Sequence, residues 1–192
     1  MGEVLETLEV KEREIQTKDG NWYLMRIRPY RTTENAIEGV VVTFVQITAQ
    51  KHVENRLLKL QQAVEQSPAI VVITDIEGRV EYVNPKFTEV TEFSRDEIVG
   101  ENASIIKSGE HTDKFYERLW KTISSGKEWS GEFRNRKKSG VLYWEFARIS
   151  PVRDETGRVT HFVAVSSDIT AQKKADTILK EACQNLERTV AL

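Results

Sequence analysis

The amino-acid sequence predicts an α+β fold: a five-stranded antiparallel sheet with short helices on one face, flanked by amphipathic linker helices. Three observations carry this prediction. Between residues 67 and 170 the apolar pattern runs two strands, several short helices and then three strands, with turn residues at each break. On either side of that block the apolar spacing lengthens to threes and fours, the period of an amphipathic helix. The chain also repeats itself: residues 37–51, IEGVVVTFVQITAQK, and 159–173, VTHFVAVSSDITAQK, share one ending at an offset of 122 positions. A solenoid repeats every 20–50 residues or so, hence this longer offset marks two copies of one domain. The first copy has far less sequence ahead of its ending than the second, and the chain is expected to begin inside a domain, as a piece of a larger protein.

Each element has its own signal. Residues 5–16 alternate loosely, and Lys18-Asp19-Gly20-Asn21 makes a turn. Residues 22–30 and 39–47 are rich in β-branched and aromatic side chains, with Thr33-Glu34-Asn35 between them, which reads as three antiparallel strands. Val40, Val42 and Phe44 fall on one face of the last strand, and Val41, Val45 and Ile47 on the other. Two apolar faces call for cover on both sides. In residues 49–66, Val53, Leu57, Leu60 and Val64 form a seam. That seam suits either a short coiled coil or a helix packed on its own domain.

Ser67-Pro68 breaks the helix. Residues 70–74 and 80–83 form a hairpin around Asp75-Ile76-Glu77-Gly78. Asn84-Pro85 starts a helix with Asn as N-cap and Pro at the first position. Ser94 and Glu97 have capping-box spacing, and Gly100 stops that helix. Thr112 is placed to cap residues 113–124, where Phe115, Leu119, Trp120 and Ile123 share one face, and Gly126 ends the run. Strands follow at 128–136, 141–152 and 159–168, joined by Lys137-Lys138-Ser139-Gly140 and Asp154-Glu155-Thr156-Gly157. Residues 171–192 are helical, with Ala175, Leu179, Ala182 and Leu186 at seam spacing.

Composition excludes several classes. Lys and Arg number 28 against 30 Asp and Glu, a net charge of −2 that offers no nucleic-acid patch. Lys137-Lys138 reads as a charged turn, and Lys173-Lys174 as a solvated helix start. No apolar run approaches the ~20 residues of a membrane span, so no membrane insertion is expected. The single cysteine, Cys183, rules out a disulfide within the chain and argues against a zinc site, which suits a reducing cytoplasmic setting. No metal site and no catalytic residue are assigned. His52, followed by Val53-Glu54-Asn55-Arg56, lacks the proline and the Gly-rich nucleotide segment of a kinase and reads as an exposed helix residue. Neither a G-x-S-x-G turn nor a P-loop occurs.

The segment AIVVITDIEGRVEYVNPKFTEVTEFSRDEIVG, followed in order by GEFRNRKKSG and THFVAVSSDIT, resembles a PAS domain. The opening segment KEREIQTKDGNWYLMRIRPYRTTENAIEGVVVTFVQIT resembles the C-terminal half of another, in wording close to chemotaxis proteins that fuse a methylesterase and a methyltransferase to sensory domains. The resemblance implies a half domain at 1–48, a linker helix at 49–66, a complete domain at 67–170 and a signalling helix at 171–192. It also implies a bacterial sensor of chemotaxis or two-component type with its output domain elsewhere in the parent, a histidine kinase or such a fusion. A homodimer through the linker helices and sheet face is expected. The rival reading is a cofactor-free dimerisation or scaffolding module.

Residues 107–140 resemble the flavin-binding PAS domains of redox sensors such as the nitrogen-fixation regulator. In those, a Trp on the long helix and an Asn on the next strand line the flavin, which implicates Trp120 and Asn135 as cofactor-binding residues for FAD or FMN. The acidic residue that helps hold flavin in that group is replaced here by Ala103. Alternatively, Trp120 is a core aromatic and Asn135 a strand-end turn residue. No cysteine lies in residues 67–170, which excludes a flavin–cysteine adduct there. Haem would need an axial ligand, but His111 and His161 lack the spacing of haem sensors, and His111 reads as a surface-loop residue. Trp129 and Trp144 read as sheet aromatics. In the family the strand-to-helix junction transmits the signal, here through Asp168 and Thr170, with Thr170 as N-cap. Gln46 takes the place of Asp168 in the first copy, where it cannot form the ion pair a carboxylate could.

Overall fold

The computed structural model describes residues 9–31, 33 and 37–190. The chain divides into two compact units, 1–61 and 62–192. The first is an antiparallel sheet of β1 (Lys11–Gln16), β2 (Trp22–Arg31) and β3 (Ile37–Gln46), in that order. Residues 5–8 of the predicted first strand and 34–35 of the predicted turn lie outside the described residues. Gly20 turns the first hairpin with φ +88°, a conformation open to Gly at little cost. Phe44 and Val45 point to opposite faces of β3 and are both exposed, as the two-faced apolar pattern predicts.

Helix α1 (Thr48–Glu65) buries none of its residues. Val53, Leu57 and Leu60 of its seam are exposed; Leu57 is 61% accessible.

The second unit opens with β4 (Ile70–Asp75) and β5 (Val80–Val83). Then come helices α2 (Pro85–Thr91) and α3 (Arg95–Ile98), a short 3₁₀ helix (Ala103–Ile106) and α4 (Asp113–Ser124). Strands β6 (Trp129–Arg136), β7 (Leu142–Arg153) and β8 (Val159–Asp168) complete an antiparallel sheet of order β5-β4-β8-β7-β6. Helix α5 (Thr170–Val190) leaves directly from β8. The 3₁₀ helix has no counterpart in the sequence reading, because four residues are too few to show a period.

Local chemistry sets the boundaries. Asn84 caps α2 and is only 1% exposed. Its Oδ1 accepts from Val71 N (3.0 Å) and Phe87 N (3.2 Å), and its Nδ2 donates to Ala69 O (2.9 Å) and Val64 O (3.2 Å). One buried amide thereby ties together the end of α1, the start of β4 and the first turn of α2. At α3, Glu97 returns a carboxylate to the Ser94 N–H at 3.0 Å, as a capping box should. Lys138 also reaches Glu97, and these donors pull its carboxyl down to about 2. Thr112 takes the N-cap position of α4, but its side chain makes no capping bond.

The core has two clusters. Ile70, Val80, Val83, Phe87, Val90, Ile98 and Tyr143 pack under α2 and α3. Leu119, Ile123, Phe133, Ala147 and Phe162 pack under α4, joined by Phe115, Trp120 and Trp129. The cavity that concerns function is lined from both.

Candidate functional site

Strand period places the site. On β6, Phe133 and Asn135 face inward; on β7, Glu145, Ala147 and Ile149; on β8, Phe162, Ala164 and Ser166. With Val72, Thr74 and Val80 from the first hairpin they floor a cavity of about 160 Å³. That is space on the scale of one aromatic ring. The 3₁₀ helix and α4 roof it with Ala103, Ile106, Tyr116, Leu119, Trp120 and Ile123.

Trp120 lines this cavity, edge-on to Phe162 with ring centroids 5.9 Å apart. Gly78 is what lets it in: a Cβ there would stand 2.9 Å from the indole Cη2, and the turn needs φ +82° at this residue. Asn135 also lines the cavity and is 4% exposed, inside the sheet rather than at a strand-end turn. The structure therefore brings the two predicted residues to one cavity.

Beside Asn135 stands a residue that the sequence reading missed. Glu145 is 6% exposed. Its Oε2 accepts from Asn135 Nδ2 at 2.7 Å and from the Tyr143 hydroxyl at 3.1 Å, and its Oε1 accepts from the Ser166 hydroxyl. Burial lifts its carboxyl above the usual range against the pull of these three donors. Burial, aided by Glu145, also pushes the Tyr143 hydroxyl well up. The only signal was alternation along LYWEFARI, which puts Glu145 in register with Tyr143, Ala147 and Ile149. Trp144 and Phe146 make the opposite face equally apolar, so the sequence alone does not show which face is inward.

The rim is held by one residue. Ser108 donates to Arg134 O, and Arg134 N donates to His111 Nε2 at 2.8 Å. Arg134 Nε lies 3.4 Å from Glu110. His111 stacks on Phe115 with centroids 4.3 Å apart. It is thus a half-buried clasp residue, not the surface-loop histidine expected, because its loop folds back on β6. At the roof, Lys107 Nζ sits 3.7 Å from the centre of the Tyr116 ring. The Tyr116 hydroxyl is buried without a hydrogen-bond partner.

The junction differs in detail from expectation. The Thr170 hydroxyl does not cap α5; its Oγ1 accepts the backbone N–H of Trp144 at 2.8 Å. Asp168 does the capping instead, with Oδ1 accepting Thr170 N at 2.8 Å, so the carboxylate meets an N–H where an ion pair was expected. Lys173, in the first turn of α5, reaches Glu132 at 2.7 Å and lies 5.4 Å from the Trp144 ring centre. In the first unit Thr48 Oγ1 takes the N–H of Trp22 at 2.9 Å, while Gln46 reaches Thr48 only at 3.4 Å. Among the described residues, no group of three His, Cys, Asp or Glu is placed to hold a metal ion. No described helix is long and apolar enough to cross a membrane.

Comparison with known proteins gives a consistent result. PAS domain profiles match residues 68–171 and, separately, 1–48. The chain is 30% identical over 139 residues to the bacterioopsin transcriptional activator of Halobacterium salinarum, covering 71% of this chain and 21% of that protein. It is 28% identical over 106 residues to the nitrogen fixation regulatory protein of Klebsiella oxytoca, covering 55% and 21%. Identity to the blue-light-activated histidine kinase of Brucella canis is 35% over 92 residues, covering 47% and 19%. The chain therefore spans about a fifth of these relatives. Among solved structures, a PAS domain from Colwellia psychrerythraea superposes with a TM-score of 0.56 at 20% identity, covering 60% of this chain and 98% of that one. An RNA-binding light-oxygen-voltage receptor superposes with 0.60 at 13% identity, covering 95% and 84%. At such identities the likeness concerns the fold.

Proposed function

We propose that this chain, which belongs to the PAS domain family, is a sensory module of signal transduction: the cavity of its second unit takes a small ligand, and β7 relays occupancy to α5. One observation carries the reading. Glu145 lines the cavity, and the residue before it, Trp144, gives its backbone N–H to Thr170 at the base of α5. A shift of the strand that satisfies a ligand at Glu145 would strain that bond and tilt the helix. Such a relay needs two packings of similar energy, which a single hydrogen bond of ~1 kcal/mol is sized to bias.

Within this reading, 1–48 is the C-terminal half of a first PAS domain, 49–66 a linker, 67–170 the sensor and 171–192 the start of an output helix. The output domain belongs to a parent of histidine-kinase or chemotaxis type, in a cytoplasmic setting. This stretch itself acts by regulation rather than catalysis. Flavin, as FAD or FMN, is an occupant that Trp120 and Asn135 support by lining the cavity. Its three fused rings need more room than one ring's volume, and Asn135 gives its amide N–H to Glu145, so the cavity would have to widen. A light-driven cysteine adduct is not part of this reading, since Cys183 is exposed on α5.

The test is to denature freshly purified protein and analyse the released small molecules by mass spectrometry, alongside a visible absorbance scan. A stoichiometric small molecule supports the sensor, and yellow colour supports flavin. Release of nothing, with no uptake of added ring compounds, overturns it in favour of the second reading: a cofactor-free dimerisation module. The exposed Val53, Leu57 and Leu60 of α1 and Ile178 and Leu179 of α5 favour that second reading, and also a homodimeric sensor.

A further inference from the structure

We propose that the cavity selects a small planar ring bearing a cationic N–H edge, of the amidinium or protonated aminopyridine class, which pairs with Glu145. This rests on the reading above that the cavity binds a ligand. The first observation is a buried carboxyl with no cation beside it. The groups that reach Glu145, from Asn135, Tyr143 and Ser166, are all neutral donors. Among the described residues, the only cation lining the cavity is Lys107, and its ammonium rests on the Tyr116 ring. A buried carboxylate is costly to ionise alone, and an opposite charge brought by a ligand removes much of that cost.

The second observation is valence. An ionised carboxylate offers about four lone-pair sites and no donor. Three are taken by Asn135, Tyr143 and Ser166, so a ligand that meets Glu145 in its ionised form must donate. A ring edge that accepts, or that carries its own negative charge, would face it with repulsion. The third observation concerns the walls. Trp120, Phe133, Phe162, Leu119, Ile149 and Val72 present apolar and aromatic surface around a space of about 160 Å³, which suits one ring. Aromatic faces also favour a delocalised cation.

Three compounds of one shape separate the possibilities: benzamidine (cation), benzamide (neutral) and benzoate (anion). Each is titrated into the full chain while amide NMR shifts of Phe133, Asn135 and Ala147 are followed. Benzamidine is expected to bind about tenfold tighter than benzamide, the scale of one buried opposite-charge contact, with benzoate weakest. Glu145→Gln should bring benzamidine to the level of benzamide. Benzamide or benzoate equalling benzamidine on the native chain overturns the charge assignment and leaves the ligand-binding reading standing. If none of the three moves these resonances, both fall. The ranking on the native chain decides by itself should the variant not fold.

Discussion

The backbone N–H of Trp144 donates to Thr170 Oγ1 at 2.8 Å, and 122 residues earlier Trp22 makes the same bond to Thr48 at 2.9 Å. Two copies of one strand–helix latch are thus built from the same residue types, and in the second the latch adjoins a buried carboxylate in the cavity.

Thr170→Val keeps the side-chain shape but removes the oxygen that Trp144 uses. Leaving a half-buried N–H unpaired costs about 1–3 kcal/mol. A melting point lower by roughly 2–4 °C per kcal/mol is expected for a chain of this size. In the full-length parent, signalling should become insensitive to the input. An unchanged melt together with normal signalling would remove the latch from the mechanism.

Asp168→Ala removes the cap of α5 and should cost about 0.5–2 kcal/mol. The second unit should stay folded, with its far-UV signal intact, while output in the parent shifts. A melting point lower by more than about 8 °C exceeds what a cap explains and would make Asp168 a structural residue instead.

Asn84→Ala strips four hydrogen bonds from backbone partners, those to Val71 N and Phe87 N buried and those to Ala69 O and Val64 O partly so. Each group left unsatisfied costs about 1–3 kcal/mol. A stability loss of at least ~3 kcal/mol is expected in urea unfolding, together with faster amide exchange at the start of β4. A loss below ~1 kcal/mol would show that water replaces the amide.

Two carboxyls should respond to pH with opposite signs. Glu145 has its folded value raised, so the native state binds its proton more tightly than the unfolded chain does. Its contribution is fully present at acid pH and is lost as pH rises from the unfolded value towards the raised one. Glu97 is lowered to about 2, and its contribution is present above ~4.5 and lost as pH falls towards 2. Chemical denaturation across pH should show the neutral-side decline flattened in Glu145→Gln and the acid-side decline reduced in Glu97→Gln. Parallel profiles for variant and native chain would contradict either assignment.

The exposed seam should hold two copies together. Light scattering at about 50 µM, a concentration that populates complexes of micromolar affinity, is expected to give twice the chain mass. Leu57→Asp with Leu60→Asp should shift that towards monomer. A monomeric mass for the native chain would count against the dimer.

Much of the fold was legible because short-range rules govern it. Asn84-Pro85, the Ser94/Glu97 box and the glycine turns are local chemistry, and period-two runs named the strands of the five-stranded sheet. Trp120 and Asn135 were legible as candidates through their motif positions. What the sequence could not carry was the inward face of β7. Tyr143 and Glu145 alternate with Trp144 and Phe146, both faces read as apolar, and only the packing of the 3₁₀ helix and α4 over one of them decides that the carboxylate is buried. The same holds for Thr170, whose hydroxyl looks local but bonds a strand 26 residues away, and for His111, which meets Arg134 only because its loop folds onto β6. Hydrogen bonds between neighbours in sequence follow from residue type. Those between distant residues exist only once the sheet has set which side chains share a face.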